Sequence, residues 1–183
     1  FSTCLSAGTN VVFVQKELVK KIYFPREVLP IAFTIAQFVN MVLCYGIVIL
    51  VAVISGVQVE LKAWLYLPLI MLVEFLLCLG ITYLVSALTV YFRDLEHILG
   101  VFTMVWMYLT PVIYPVEMVP EKYVDLFYLN PMTPITIAYR DILYYGQCPK
   151  SGPLMIAIIM GVAMVVIGHI TFGKLQKRFA EEL

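Results

Sequence analysis

Residues 64–91 read WLYLPLIMLVEFLLCLGITYLVSALTVY, and Glu74 is the only acidic or basic side chain among them. A membrane span needs about 17–25 mostly apolar residues, so this run crosses a bilayer with length to spare. Three further runs repeat the pattern: Val28–Ile54, Ile98–Ile113 and Pro153–Phe172. The first is also longer than a minimal span, which predicts tilted or bent helices. The third run of the chain, Ile98–Ile113, is short. Hydrophobic residues make up 62% of the sequence, above the roughly 45–50% of soluble domains. A single soluble domain of 183 residues has no interior that buries four such helices on all sides. The expected fold is an all-α integral membrane protein, a helical bundle with about four complete transmembrane helices. Residues 1–14 (FSTCLSAGTNVVFV) are small and apolar, with no basic stretch ahead of them as a signal peptide would have. They read as the end of another span, and the chain as the C-terminal fragment of a longer membrane domain.

Net charge is zero and names no partner, but the distribution of charge orients the chain. Lys16, Lys20, Lys21, Arg26, Arg93, Lys174, Lys177 and Arg178 fall on one side of the runs, and Lys62, Lys122, Arg140 and Lys150 on the other. Loops rich in Lys and Arg stay in the cytoplasm. Residues 15–27, the 92–97 turn and the C-terminus are therefore assigned inside, and residues 55–63 and 114–152 outside. Cys4, Cys44 and Cys78 lie in or beside apolar runs and read as small packing residues. Cys148 stands alone, and without CxxC pairs neither a zinc site nor a disulfide framework is supported. The two histidines, His97 and His169, are too few and too far apart along the chain for a metal site.

Residues 15–27 (QKELVKKIYFPRE) form a short amphipathic stretch that Pro25 terminates. It suits either a segment lying on anionic lipid heads or a docking helix for a cytoplasmic partner. Gln37 and Asn40 share a face of the first span, where amides usually hydrogen-bond across helices at roughly 1 kcal/mol. Glu74 lies ten residues past Trp64, about 15 Å deep. An ionisable group there faces the bundle interior or a water-filled cavity, as a structural carboxylate or as a pathway residue. No basic residue shares its depth, so its partner is expected outside this sequence. Gly80, Thr82, Ser86, Ala87 and Thr89 give the end of that span the small residues that close helix packing uses. Residues 114–152 are punctuated by prolines and carry Tyr114, Tyr123, Phe127, Tyr128, Tyr139, Tyr144 and Tyr145. They read as short helices at the interface or dipping back into the membrane, their rings either an aromatic belt or a stacking surface for sugars. Gly168 to Lys174 has the spacing of a phosphate-binding loop. Leu175 stands where Ser or Thr must bind magnesium, and no strand precedes it, so that reading is rejected. The sequence has no HExxH, GxSxG or acid pair in a soluble pocket, and nothing in it supports catalysis.

Four motifs in order, Lys21-Ile-Tyr-Phe-Pro-Arg26, Tyr91-Phe-Arg-Asp94, Pro111-Val-Ile-Tyr-Pro115 and Leu129-Asn-Pro-Met-Thr-Pro134, give the chain its resemblance to a family. It resembles the ABC-2 type permeases, and among them the exporters of cell-surface polysaccharide, O-antigen and teichoic acid. The resemblance covers essentially the whole chain. It implies one permease domain over residues 1–183, with 15–27 as the cytoplasmic coupling segment and 114–152 as an extracytoplasmic re-entrant hairpin. It implies six spans per subunit, a dimer of permeases, most simply a homodimer, and a separate ABC subunit that holds ATP and magnesium. The permease would itself carry no cofactor, touch no nucleic acid, and work in the bacterial cytoplasmic membrane on a lipid-linked glycan. The residues expected to couple to the ATPase are Lys20, Lys21, Tyr23 and Arg26. Those expected along the substrate path are Tyr108, Tyr114, Tyr139, Tyr144 and Glu74, since tyrosines stack on sugar rings and bond to hydroxyls. The competing readings are an ABC-2 exporter of drugs or small lipophiles, an ion-coupled carrier using Glu74, a membrane glycosyltransferase and a purely structural subunit.

Overall fold

The computed structural model describes residues 1–21, 24–54 and 61–182. Of the expected coupling residues, Tyr23 lies outside the described residues, as do the side chains of Lys20 and Lys21. Every regular element among the described residues is helical. Short helices α1 (Ser2–Ser6) and α2 (Val11–Val14), joined by a 3-10 turn, precede α3 (Lys16–Lys21). The long helices are α4 (Val28–Ile54), α5 (Leu61–Tyr91) and α9 (Ser151–Leu175). Between α5 and α9 come α6 (Leu95–Leu109), α7 (Glu121–Tyr128) and α8 (Met132–Leu143), and α10 (Phe179–Glu182) ends the chain.

Among the described residues, three stretches are long and apolar enough to cross a membrane: Val28–Ala52, Lys62–Tyr91 and Ser151–Arg178. The third apolar run, Ile98–Ile113, falls largely in α6, which has 15 residues. That is about 22 Å at 1.5 Å per residue, short of a hydrocarbon layer of about 30 Å. The helix ends early because Pro111 pushes Thr110 out of the helical region, and the chain turns there through a Val112 N–H to Thr110 carbonyl bond of 2.7 Å. Pro68 sits inside α5, where it removes one intrahelical bond. Asn40 is exposed on α4.

The chain divides into two compact units. The first comprises Phe1–Val39, Phe75–Met104 and Val162–Leu183. Its core contains Val12, Tyr83, Ala87, Val90, Phe172 and Phe179. The ring of Phe172 meets Tyr83 edge-on at 5.4 Å and Phe179 at 5.5 Å. The small residues of α5 are all buried here, and Thr82 and Thr89 return their hydroxyls to the Cys78 and Val85 carbonyls at 2.8 and 2.7 Å. Each hydroxyl is satisfied within its own helix, which leaves α5 able to lie close to a neighbour. The backbones of α5 and α9 approach so closely that Gly80 and Gly168 have no room for a side chain.

The second unit comprises Asn40–Glu74 and Val105–Gly161. Its α8 buries Ile135, Ala138, Tyr139 and Ile142, the i, i+3, i+4, i+7 pattern of a helix with one inward face. Helices α7 and α8, of 8 and 12 residues, are each too short to span, as the prolines of this region predict.

Candidate functional site

Two polar clusters stand out, one in each unit. In the second unit Glu74 of α5 and Tyr139 of α8 are both only 8% exposed, and the Tyr139 hydroxyl donates to Glu74 Oε2 at 2.9 Å. Tyr45 of α4 stacks on Tyr139 with ring centroids 4.7 Å apart and planes 24° apart. A phenol with an ordinary pKa near 10 keeps its proton at neutral pH, so Tyr139 is the donor and the carboxyl group accepts. The expectation that Glu74 finds its partner outside this sequence is therefore corrected. The partner is a neutral donor 65 residues away and not a cation at the same depth, and no local spacing signals that pairing.

The remaining tyrosines do not converge on this pair. Tyr108 is 67% exposed on α6 and Tyr144 is 75% exposed beyond α8. Tyr114 donates its hydroxyl to the Tyr108 carbonyl at 2.7 Å and meets the Phe127 ring edge-on at 6.2 Å. Of the five residues expected along the path, the structure joins Glu74 to Tyr139 and Tyr108 to Tyr114, and leaves Tyr144 against Tyr145.

The turn after α6 is held by α8. Arg140 donates to the carbonyls of Pro111 at 2.9 Å, Val112 at 3.0 Å and Tyr114 at 3.2 Å. Asn130 fixes the start of α8: its amide donates to Thr110 Oγ1 at 2.8 Å and its carbonyl accepts the Met132 N–H at 2.9 Å. The PVIYP turn is thus held by Arg140 of α8, and Asn130 of the LNPMTP motif bonds Thr110 just before it. Arg140→Ala strands three carbonyls at once. Hydrogen bonds to charged groups contribute about 1.5–3 kcal/mol each, and water reaches part of this site, so the expected net loss is about 2–4 kcal/mol. The readouts are a lower melting temperature and faster protease cleavage between residues 111 and 131. Arg140→Lys, with one ammonium in place of a fork, should recover only part of the loss.

In the first unit a second cluster forms where residues 24–27 meet the end of α9. Arg26 donates to the backbone carbonyl of Gln176. The Gln176 side chain donates to Glu27 Oε1 at 3.1 Å, and Glu27 Oε2 lies 3.9 Å from His169 Nδ1. Tyr91 closes the end of α5 onto α9 by donating to the Leu175 carbonyl at 2.9 Å. A cleft of about 640 Å³ opens here, with Phe24, Glu27, Gln176 and Lys177 among its walls. Of the expected coupling residues only Arg26 is described to its side chain, and it is engaged with the chain's own last span. Glu27, Tyr45 and Gln176 were not singled out from the sequence, although Glu27 closes the 15–27 stretch next to Arg26; Asn130 was quoted only as part of the Leu129–Pro134 motif.

Residues 2–144 match the family model described as ABC-2 type transporter. The chain belongs to the ABC-2 type transporter family. It is a multi-pass, all-α membrane protein of that family, with the four motifs of the sequence distributed over these two clusters and their flanking turns. The match ends at Tyr144, so α9 lies beyond it. Among curated relatives, the chain is similar to "O-antigen export system permease protein RfbA" of Myxococcus xanthus, at 27% identity over 100% of this chain and 71% of the relative. It is also similar to two proteins of that name from Klebsiella pneumoniae, at 28% and 29% identity, each alignment covering 97% of this chain and 70% of the relative. These alignments extend through α9 and so include the Gln176 cluster that the family match leaves out.

Proposed function

We propose that this chain is the permease subunit of an ABC exporter that moves a lipid-linked cell-surface polysaccharide across the bacterial cytoplasmic membrane. A separate ABC subunit hydrolyses ATP, with its magnesium, and a second permease subunit completes the path. The observation that carries this reading is the similarity, over 97–100% of this chain and 70–71% of each relative, to three O-antigen export permeases. The site chemistry supports it. Tyr108 and Tyr144 present rings outward, and aromatic faces with a polar tip suit contact with sugars at a membrane surface. Glu74 is engaged with Tyr139, which favours a structural task for it over ion coupling.

The test is purification of the intact permease from native membranes, joined to an export assay. The expected result is a co-purifying ATPase in stoichiometric amount. Cells lacking the permease should lose surface glycan and accumulate its lipid-linked form inside. A clean permease with no ATPase, together with unchanged surface glycan in the deletion strain, would overturn the proposal.

A further inference from the structure

We propose that Glu27 is a positioning residue that, with Arg26, fastens the coupling segment to the last span, so that motion entering at residues 24–27 is delivered to α9 directly. This rests on the exporter reading above, in which the energy arrives from an ATPase subunit. The covalent connections of this segment lead back to α2 and forward into α4, which begins at Val28. The hydrogen bonds add a route to the end of α9.

The geometry is that of a two-point clasp. Gln176 opens the 3-10 turn that follows α9, and its carbonyl accepts the Phe179 N–H. Arg26 adds a second donor and a positive charge to that carbonyl, beside the negative end of the α9 dipole. The neighbouring Glu27 takes the side chain of the same residue at 3.1 Å. Gln176 is thereby held by its backbone and its side chain at once, from two consecutive residues. Glu27 also lies near His169, which is seven residues earlier and on the same face of α9. Beneath the polar clasp Phe24 packs against the cluster that contains Phe172 and Phe179. Tyr91 holds the adjoining Leu175 carbonyl from α5. Elements packed and bonded in this way move as a body rather than by continuous deformation.

Two experiments test this in the full-length permease with its ATPase subunit in proteoliposomes, with ATP hydrolysis and glycan export read separately. Glu27→Ala is expected to lower export at least tenfold while hydrolysis stays within twofold of wild type. Glu27→Gln, whose amide oxygen still accepts from Gln176, is expected to restore export to within threefold. The second experiment places cysteines at both positions (Glu27→Cys with Gln176→Cys) in a protein whose exposed Cys44 and Cys148 are replaced by Ala. A short bifunctional thiol reagent then bridges them. If the segment and α9 travel together, the unbridged double variant exports as poorly as Glu27→Ala and the bridge restores export. Export that fails to rise on bridging, or normal export in Glu27→Ala, overturns the inference and leaves the exporter reading standing. A wild-type complex that shows no ATP-driven export overturns that reading, and the inference with it.

Discussion

Gly80→Val is expected to give no folded protein, and Gly80→Ala a protein that melts about 5–10 °C lower than wild type. A Cβ built on Gly80 falls onto the carbonyl carbon of Met164 and lies 2.6 Å from the Val165 nitrogen. These are backbone atoms of a packed helix, and they cannot rotate aside as a side chain would. The conflict is reciprocal. A Cβ on Gly168 meets the Gly80 carbonyl oxygen and lies 3.1 Å from Tyr83 Cβ. Overpacking by one methyl costs about 1–3 kcal/mol where neighbours can adjust, and here they are main chain. In lipid the attraction between helices comes from close contact rather than from water exclusion, so forcing α5 and α9 apart removes the attraction itself. Gly46 and Gly100 provide the control, since nothing lies within 4 Å of a Cβ at either. Alanine there should be neutral or slightly stabilising, because a helix interior favours Ala over Gly by about 1 kcal/mol. Melting of the detergent-purified protein and the monodisperse fraction after extraction distinguish the two pairs. Equal behaviour of Gly80→Ala and Gly46→Ala would refute the close-contact account.

The second large effect concerns Glu74. If the residue holds Tyr139 in place, Glu74→Gln should export nearly as well as wild type, because an amide oxygen accepts the phenol hydrogen as a carboxyl oxygen does. Glu74→Leu should lose most export. It leaves the buried Tyr139 hydroxyl without its acceptor, at about 1–3 kcal/mol. Tyr139→Phe should be worse or equal, since it removes the donor to a buried carboxyl group. The double variant Glu74→Leu, Tyr139→Phe is expected to be less impaired than the sum of the two single changes. Bonded residues couple by about 0.5–3 kcal/mol in such cycles, and an apolar pair leaves no orphan. A proton-coupled role predicts the opposite order, with Glu74→Gln inactive because it has no ionisable group. Export by the Gln variant at a few per cent of wild type would therefore return Glu74 to the transport chemistry.

The helical class and the position of three long helices were legible because a span is written locally, as an uninterrupted apolar run of known length. The start of α4, the end of α5 and both ends of α9 were read to within a few residues. The length of α6 was harder to read. Val112 and Ile113 are apolar and extend the run in sequence, while Pro111 and the Arg140 fork end the helix in space. The candidate site was legible as motifs but not as pairings. PVIYP and LNPMTP stand about fifteen residues apart on the page, and nothing in either says that Asn130 reaches Thr110. Arg26 was expected to face a partner because the resemblance to ABC-2 permeases places a coupling segment there. Its bond to Gln176 joins residues 150 positions apart, a relation that no single-sequence periodicity encodes. Glu74 illustrates the same limit: the cost of a buried acid was visible, but the neutral hydroxyl that offsets it was not.

The shortness of α6 has a consequence for the lipid as well as for the protein. Taken as a crossing, its apolar length falls about 8 Å below the hydrocarbon thickness. A bilayer meets such a deficit by drawing its two surfaces together, at fractions of a kcal/mol per ångström. The membrane beside α6 is then pinched, with polar headgroups and water brought nearer the midplane on the flank that carries the exposed Tyr108. For an amphiphile with a lipid tail and a long hydrated head, the electrostatic barrier is lowest where the slab is thinnest. The protein would thus shape its solvent into a ramp before any side chain touches the cargo.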